Sequence, residues 1–471
     1  MVSNAAGAIN WGFPVIADTP IPQVLPTGIC TYEHVVSNIP HDQMVQKAVE
    51  VRGLKVSVAK VPVPVAYGPA FEGERIRGED IYLEAGGGRT LACEWTTTRD
   101  MGEVEDGKVE VIGPDIKDLK PPAQLPLAIL VEVAGRKMQE DFEPILERQI
   151  HHLLNYAQGV MHIGQRDIAW VRIGKAAVEK GFTLRHIGDI IHAKYHQDFG
   201  SIFDKVQVKI YTKEADVKKV LEKAKSVYAK MYARIEGMTD ESEETFYSCT
   251  LCQSFAPTHV CIITPERTGL CGAYNWLDGK ASNEINPTGP NQPVPKVAVI
   301  DPVLGQWKGV NDFVFKASRQ KLEKYNAYSI MTDPMTSCGC FECIAAVLPM
   351  CNGIMTVNRD YTGMTPCGMK FNTLAGSVGG GSVTHGFVGH SKHYICSKKF
   401  IMADGGIKRL VWMPKSLKEE IMDRLKKRSE EMWIPNFPEM IADETVGTTE
   451  DEILPFLTEK GHPALTLPSL F

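Results

Sequence analysis

Apolar positions along this chain switch between a near-continuous and a helical pattern, and the switches mark out its elements. Leu127–Val133 is a near-continuous apolar run, the pattern of a strand buried on both faces. Ile168–Ile173 and Val206–Tyr211 read as further strands. Gln139–Gln158 reads as a helix stopped by Gly159. From Glu214 to Ile235 the spacing predicts a long helix, with Val217, Val220, Leu221, Ala224, Val227, Tyr228 and Met231 on one face. Strand, helix, strand, helix argues for an α/β layer domain. The acidic stretch Asp240–Glu244 makes a boundary after it. Before it, the first 65 residues alternate Pro with short apolar runs and read as a connecting segment. Beyond it, Phe246–Phe371 is mostly loop, with Pro287, Pro290, Pro293 and Pro295 in one stretch. A strand at Val297–Ile300 and a helix at about Phe313–Lys324 interrupt those loops. Ser416 and Glu419 form a capping-box pattern for a helix to about Trp433. The expectation is an α/β multidomain chain: a connecting segment (1–65), an α/β middle domain (66–237) and an α+β domain with long loops (238–471).

Composition narrows the function classes. Of the 471 residues, 44% are hydrophobic and 23% charged, which excludes extended disorder and collagen-like structure. Lys and Arg number 51 against 57 Asp and Glu, and no dense basic run occurs, so no nucleic-acid partner is expected. No run reaches the roughly 18 apolar residues of a membrane span, and the N-terminus lacks a basic, then apolar, leader pattern. The expected location is cytoplasmic, away from membranes. Under reducing conditions clustered cysteines are more often metal ligands or catalytic groups than disulfides. Nine of the 12 cysteines lie between Cys249 and Cys367, so the chemistry is expected there.

Two constellations stand out. Cys249, Cys252, Cys261 and Cys271 offer four thiolates, which suit a zinc ion or an iron–sulfur cluster equally well. Cys338-Gly339-Cys340 places two thiolates one residue apart. If the peptide nitrogens of Gly339 and Cys340 lose their protons, the tripeptide completes a square plane, the geometry of Ni(II) or Cu(II). A glycine between the two avoids a Cβ that would crowd the fused chelate rings. Taken alone, Cys-Gly-Cys is also compatible with two incidental cysteines.

Together, the spacing and its flanks (Phe246-Tyr247-Ser248-Cys249-Thr250-Leu251-Cys252-Gln253-Ser254-Phe255-Ala256-Pro257 and Thr336-Ser337-Cys338-Gly339-Cys340-Phe341-Glu342) resemble the acetyl-CoA synthase family of the CO dehydrogenase/acetyl-CoA synthase system. Phe71–Arg77 looks like that family's entry into the middle domain, and the resemblance covers essentially the whole chain. It implies that Cys249, Cys252, Cys261 and Cys271 hold a [4Fe-4S] cluster, with Cys252 bridging to a proximal nickel. It implies a distal nickel on Cys338, Gly339 and Cys340, with both sulfurs bridging to the proximal one. The implied activity joins CO, a methyl group from a corrinoid iron–sulfur protein and CoA into acetyl-CoA, making the chain a CO-methylating acyltransferase of carbon fixation (the Wood–Ljungdahl pathway). Phe255 and Phe341 match aromatics that wall the proximal nickel, with Thr336 beside them. Tyr274, Trp276 and His259 are expected to pack around the ligands or tune them. Cys343, Cys351 and Cys367 are expected to be structural thiols.

CoA carries phosphates, so Arg166, Arg172 and Arg185, near Trp170, are candidate contacts, with a solvated face as the alternative. Gly379-Gly380-Gly381 lacks a following Gly-Lys-Ser/Thr and reads as backbone that must pass close to something. The Pro-rich start suggests a shortened bacterial-type chain lacking a CO dehydrogenase docking domain, and hence weak CO dehydrogenase binding. Two other classes fit part of the pattern: an iron–sulfur electron-transfer or binding protein, which has no use for Cys338-Gly339-Cys340, and a zinc-stapled structural protein.

Overall fold

The computed structural model describes residues 61–67, 76–87, 89–166, 168–254, 256–285, 287 and 289–470. Most of the expected connecting segment and Phe71–Arg75 lie outside the described residues. The architecture is mixed α/β with several sheets, none of which closes into a barrel among the described residues. None of the described helices is long and apolar enough to cross a membrane.

The first part of the chain builds two four-stranded mixed sheets from β1 (Ile81–Gly86), β2 (Ala92–Thr98), β3 (Val109–Ile112), β4 (Ala123–Leu125), β5 (Leu127–Ala134), β6 (Val160–Gln165), β7 (Ile168–Gly174) and β8 (Lys205–Tyr211). One sheet runs β4-β1-β7-β6 and the other β2-β5-β8-β3. Four helices accompany them: α1 (Glu143–Leu154), α2 (Lys175–Glu179), α3 (Arg185–Phe199) and α4 (Glu214–Ala233). All eight residues of β5 are buried, because it is flanked on both edges and covered on both faces. Its side chains alternate between two cores. Leu127, Ile129, Val131 and Val133 join the core that includes α1 and α3. Ala128 and Leu130 meet Val217, Val220, Ala224 and Tyr228 of α4. The period-two geometry of a strand thus anchors helices on both sides.

The remainder forms three further sheets. β9 (Thr245–Cys249), β10 (Cys261–Ile263) and β11 (Pro293–Pro295) pair in the order β10-β9-β11. β12 (Val299–Asp301) pairs with β13 (Gln306–Trp307). β14 (Cys343–Leu348), β15 (Gly353–Asn358), β16 (Phe387–His390) and β17 (Leu410–Trp412) pair in the order β16-β14-β15-β17. Helices α5 (Trp276–Ile285), α6 (Lys308–Ala317), α7 (Phe371–Val378), α8 (Lys415–Glu420), α9 (Met422–Glu431), α10 (Phe437–Met440) and α11 (Glu450–Lys460) surround them.

Several expected boundaries move, each for a local reason. Helix α1 begins at Glu143, not Gln139, with Pro144 in its first turn, where a missing N–H costs nothing. It ends at Leu154, so Gly159 belongs to the turn before β6. The helix expected at Phe313–Lys324 is α6, which ends at Ala317 because Arg319 and Gln320 take positive φ. Val297 has a φ of 64°, which confines the neighbouring strand to β12. The Ser416–Glu419 capping box does not form. Helix α8 follows Pro414 without a side-chain cap, and a break at Ile421 separates it from α9. Capping boxes do form elsewhere, one of them joining Thr449 and Glu452 at the start of α11.

Candidate metal centre

Strand register brings the first two sulfurs together. In the antiparallel β9–β10 pair Cys249 lies directly opposite Cys261, so 12 residues of sequence separation become one cross-strand contact. Cys252 follows in the 3-10 turn Leu251–Ser254, where Ala256 N–H donates to the Cys252 carbonyl (2.9 Å). Cys271 sits in a turn closed by Gly272 N–H on the Gly269 carbonyl (2.8 Å). Cys338-Gly339-Cys340 forms the loop entering β14. Gly339 has a φ of 110°, whereas a Cβ added there would meet nothing within 4 Å. The left-handed backbone by itself therefore calls for glycine here. The Cys340 N–H donates to Cys338 Sγ (3.3 Å), so this amide faces the neighbouring sulfur.

Cys249, Cys252, Cys261, Cys271 and Cys338 line one cavity, together with Arg148, His259, Leu270 and Tyr274. Cys340 packs with Cys252, Cys338 and Ala256 in a small buried cluster, against which Ile163 rests. The triple glycine straps this loop in place. Gly380 N–H donates to the Cys338 carbonyl (3.2 Å) and Gly381 N–H to the Ser337 carbonyl (2.8 Å). A Cβ at Gly379 would stand 3.3 Å from Gly339 Cα, and one at Gly381 would strike Thr258 Oγ1 at 2.5 Å. The backbone does pass close to something: the Cys338 loop itself.

The decisive electrostatic group was not visible in the cysteine pattern. Arg148, on α1, is 1% exposed, and its Nη2 donates to Cys252 Sγ (3.2 Å). Burial opposes its charge, but the sulfurs of Cys252, Cys271, Cys249 and Cys340 more than restore it. Its Nε and Nη1, and the hydroxyl of Tyr274, are buried with no hydrogen-bond partner among the described residues. The thiols respond unequally. Hydrogen bonds from Cys338 and Cys340, with Arg148 assisting, hold the Cys252 thiol well below its ordinary value. Burial pushes Cys249 up to about 12, and Cys261 and Cys271 upward too. Three buried thiols that resist ionisation become thiolates only with a cation beside them, as metal ligands are. His259 is held neutral by burial, with its Nδ1 2.9 Å from Thr336 Oγ1.

Comparison with known proteins adds the family. Residues 228–471 match the family model for the C-terminal part of the ACS/CODH beta subunit, and residues 63–217 match that of the CO dehydrogenase/acetyl-CoA synthase complex beta subunit. The chain belongs to the CO dehydrogenase/acetyl-CoA synthase family. It is 55% identical over 472 residues to the carbon monoxide dehydrogenase/acetyl-CoA synthase subunit alpha of Moorella thermoacetica, covering 99% of this chain and 64% of that protein. It is 42% identical over 462 residues to the acetyl-CoA decarbonylase/synthase complex subunit beta 1 of Methanocaldococcus jannaschii, covering 98% of this chain and 59% of the relative. With the corresponding beta subunit of Methanopyrus kandleri it shares 42% identity over 409 residues, 87% of this chain and 85% of that one. The chain therefore spans less than two thirds of the length of the first two relatives. Membership of this family suggests metal-cluster cofactors.

The cavity suits such an occupant. Six sulfurs are soft donors for iron and nickel, and the unpaired N–H and O–H groups of Arg148 and Tyr274 are what an anionic, sulfide-bearing group needs around it. A second convergence of metal-binding groups, Asp106 with His192 and His196, offers nitrogen and oxygen and does not match an iron–sulfur or nickel-thiolate donor set.

The other expected site residues distribute unevenly. Phe255 lies outside the described residues. Phe341 is buried against Phe371, with ring centroids 6.1 Å apart. Trp276 donates to the Thr245 carbonyl (2.9 Å) and packs on Tyr247. Cys343 and Cys351 belong to the main core, and Cys367 packs at its edge. Among the candidate CoA arginines, Arg166 is corrected. It is 2% exposed and fully engaged, pairing with Glu147 (3.2 Å) and donating to the Gly272 (2.7 Å) and Ala273 (3.1 Å) carbonyls. Its place beside Cys271 makes it a bolt, not a phosphate contact. Arg172 stacks on Trp170 (4.2 Å) and pairs with Glu84 (2.6 Å), and Arg185 is more than half exposed.

Proposed function

We propose that this chain carries acetyl-CoA synthase chemistry, joining CO, a methyl group from a corrinoid iron–sulfur protein and CoA into acetyl-CoA. The observation that supports it most is the convergence of five cysteines from two separate motifs around one cavity, with Cys340 packed against two of them and a buried arginine alongside. Cys249, Cys252, Cys261 and Cys271 would hold a [4Fe-4S] cluster. Cys338, Gly339 and Cys340 would hold a distal nickel, and Cys252, Cys338 and Cys340 would share a proximal one. When bound, the group supplies metal–carbon chemistry that no side chain can perform. The protein's own part is to present the thiolates, to keep the positive charge of Arg148 against them and to exclude water from a closed pocket. His259, neutral and tied to Thr336, adds no charge of its own. Arg172 with Trp170, and Arg185, remain the proposed contacts for CoA phosphates. CO would come from a CO dehydrogenase partner.

The test is metal analysis of anaerobically prepared protein, with an acetyl-CoA assay supplied with CO, a methyl-corrinoid donor and CoA. Roughly one nickel per two irons is expected from one four-iron cluster and two nickel positions. Cys338→Ala should abolish acetyl-CoA formation and keep the iron–sulfur absorbance. Replacing Cys249 or Cys261 should bleach it. Iron without nickel uptake, even after incubation with Ni(II), would favour an electron-transfer protein instead.

A further inference from the structure

Far along the chain from the cysteines, three metal-binding side chains converge in the first part of the fold. His192 and His196 stand one turn apart on α3, so both imidazoles project from one face. Asp106 comes from the loop between β2 and β3. Its Oδ1 lies 3.1 Å from His192 Nε2 and 2.8 Å from His196 Nε2, and all three ligand atoms lie within 4.8 Å of one another. The carboxylate is held from behind. Val206 N–H donates to the same Oδ1 (3.0 Å), and Gly107 N–H returns to the Val206 carbonyl (3.0 Å), so the loop is zipped to β8. The rings are also constrained. They meet edge to face at 4.7 Å, and His196 packs on Phe203 at 5.5 Å. Each side chain is between 29% and 43% exposed, which leaves room for water on the open side.

We propose that Asp106, His192 and His196 form a solvent-facing site for a divalent transition-metal ion of the zinc or nickel class, completed by water. Two ligands about 2.1 Å from one ion and at right angles stand about 3.0 Å apart, which is the spacing of Oδ1 from each Nε2. Binding requires each imidazole to carry its remaining proton on Nδ1, so the two Nε2–H···O bonds give way to two Nε2–metal bonds. Two imidazoles and one carboxylate favour zinc, nickel or cobalt over magnesium or calcium, whose preference is for oxygen. A bound ion ties the 99–108 loop to α3. The site shares no residue with the cysteine pocket, and the inference does not depend on the acetyl-CoA synthase reading.

The experiment is calorimetric titration of Zn²⁺ into the full chain, anaerobically purified with its native metal content, alongside a Co²⁺ titration followed by absorbance. Zinc should bind one saturable equivalent that millimolar Mg²⁺ does not displace. His192→Gln and Asp106→Asn should each weaken it at least tenfold, whereas Cys338→Ala should not. Cobalt bound here should show weak visible bands without thiolate-to-metal charge transfer. Zinc should also slow hydrogen exchange in the 99–108 loop of the parent chain but not of the variants. Absence of a saturable equivalent would overturn the proposal. So would binding within twofold of the parent in both variants, with circular dichroism showing them folded, or cobalt spectra carrying only thiolate bands.

Discussion

Arg148 is the residue on which the two halves of the centre's electrostatics turn. Its guanidinium has one partner, Cys252, and two buried N–H groups with none among the described residues. A buried cation so placed is held by the Cys252 sulfur in the metal-free protein, and by any anion the pocket takes up besides. Arg148→Met should therefore lower the melting temperature of the metal-free protein, because Cys252 loses its charged partner. Iron retention during dialysis against chelator should fall, since a charge-assisted hydrogen bond is worth about 1.5–3 kcal/mol. Arg148→Lys should recover part of that retention, and the cluster's midpoint potential should move negative in Met and less so in Lys. Equal retention in all three proteins would show that Arg148 serves the fold alone.

At the scale of the element, α1 explains why Arg148 was not foreseen. Its sequence, Glu-Pro-Ile-Leu-Glu-Arg-Gln-Ile-His-His-Leu-Leu, is amphipathic, and its polar stripe reads as a solvated face. In the fold both faces are buried. Glu143, Glu147 and His151 recur at four-residue spacing, all nearly inaccessible. Glu143 receives the Thr98 N–H (2.6 Å), and Glu147 pairs with Arg166. Burial pushes Glu143 up to about 7 and Glu147 up to about 8. A carboxyl whose folded value is raised stabilises the fold fully below its unfolded value near 4.5, and that contribution disappears as pH climbs through the folded value. Glu143→Gln cannot titrate yet keeps an acceptor for Thr98. Melting curves of the variant and parent should coincide near pH 4 and diverge by pH 8, where the variant is the more stable by an amount of order 3 kcal/mol at most. A constant offset across that range would contradict the assignment.

Over the whole molecule, the junction between the α/β layers and the cysteine-bearing sheets is made by charge as well as by packing. Arg166, in a left-handed turn (φ 53°) between β6 and β7, reaches the Gly272 and Ala273 carbonyls just past Cys271. Its stacking on Tyr228 of α4 at 4.3 Å draws that helix to the same point. Arg166→Met removes the partner of buried Glu147 and strands the Ala273 carbonyl, while Gly272 keeps the Tyr232 hydroxyl (3.1 Å), a loss of about 1–3 kcal/mol. Thermal stability and cluster content should drop together. Arg172→Ala, at a largely buried pair with Glu84, which keeps Arg89 as a second partner (3.0 Å), should lower the melting temperature by less than Arg166→Met does. If the CoA reading is right it should raise the KM for CoA without lowering iron content. The reverse pattern, with Arg166 governing KM and Arg172 governing stability, would return Arg166 to the CoA contacts.

What could be read along the chain was whatever depends on neighbours in sequence. The buried strand at Leu127–Val133, the helix from Glu214 to Ile235 and the cysteine spacings are local patterns, and each has its counterpart in the fold within a few residues. The triple glycine was also legible as a close approach, because a Cβ at Gly379 would stand 2.7 Å from the Ala375 carbonyl oxygen and one at Gly381 2.5 Å from Thr258 Oγ1. Chain order carries no record of which polar residues end up inside. Arg148 and Arg166 look like surface arginines in sequence, and only the docking of α1 and of the β6–β7 turn onto the cysteine loops buries them. The Asp106, His192 and His196 trio was invisible for the same reason, since a loop and a helix 86 residues apart meet only once the chain has folded. Sequence determines which residues can ligate, ionise or bend. Tertiary packing decides which are taken out of water, and burial is what turns an ordinary arginine into the counter-charge of a thiolate pocket.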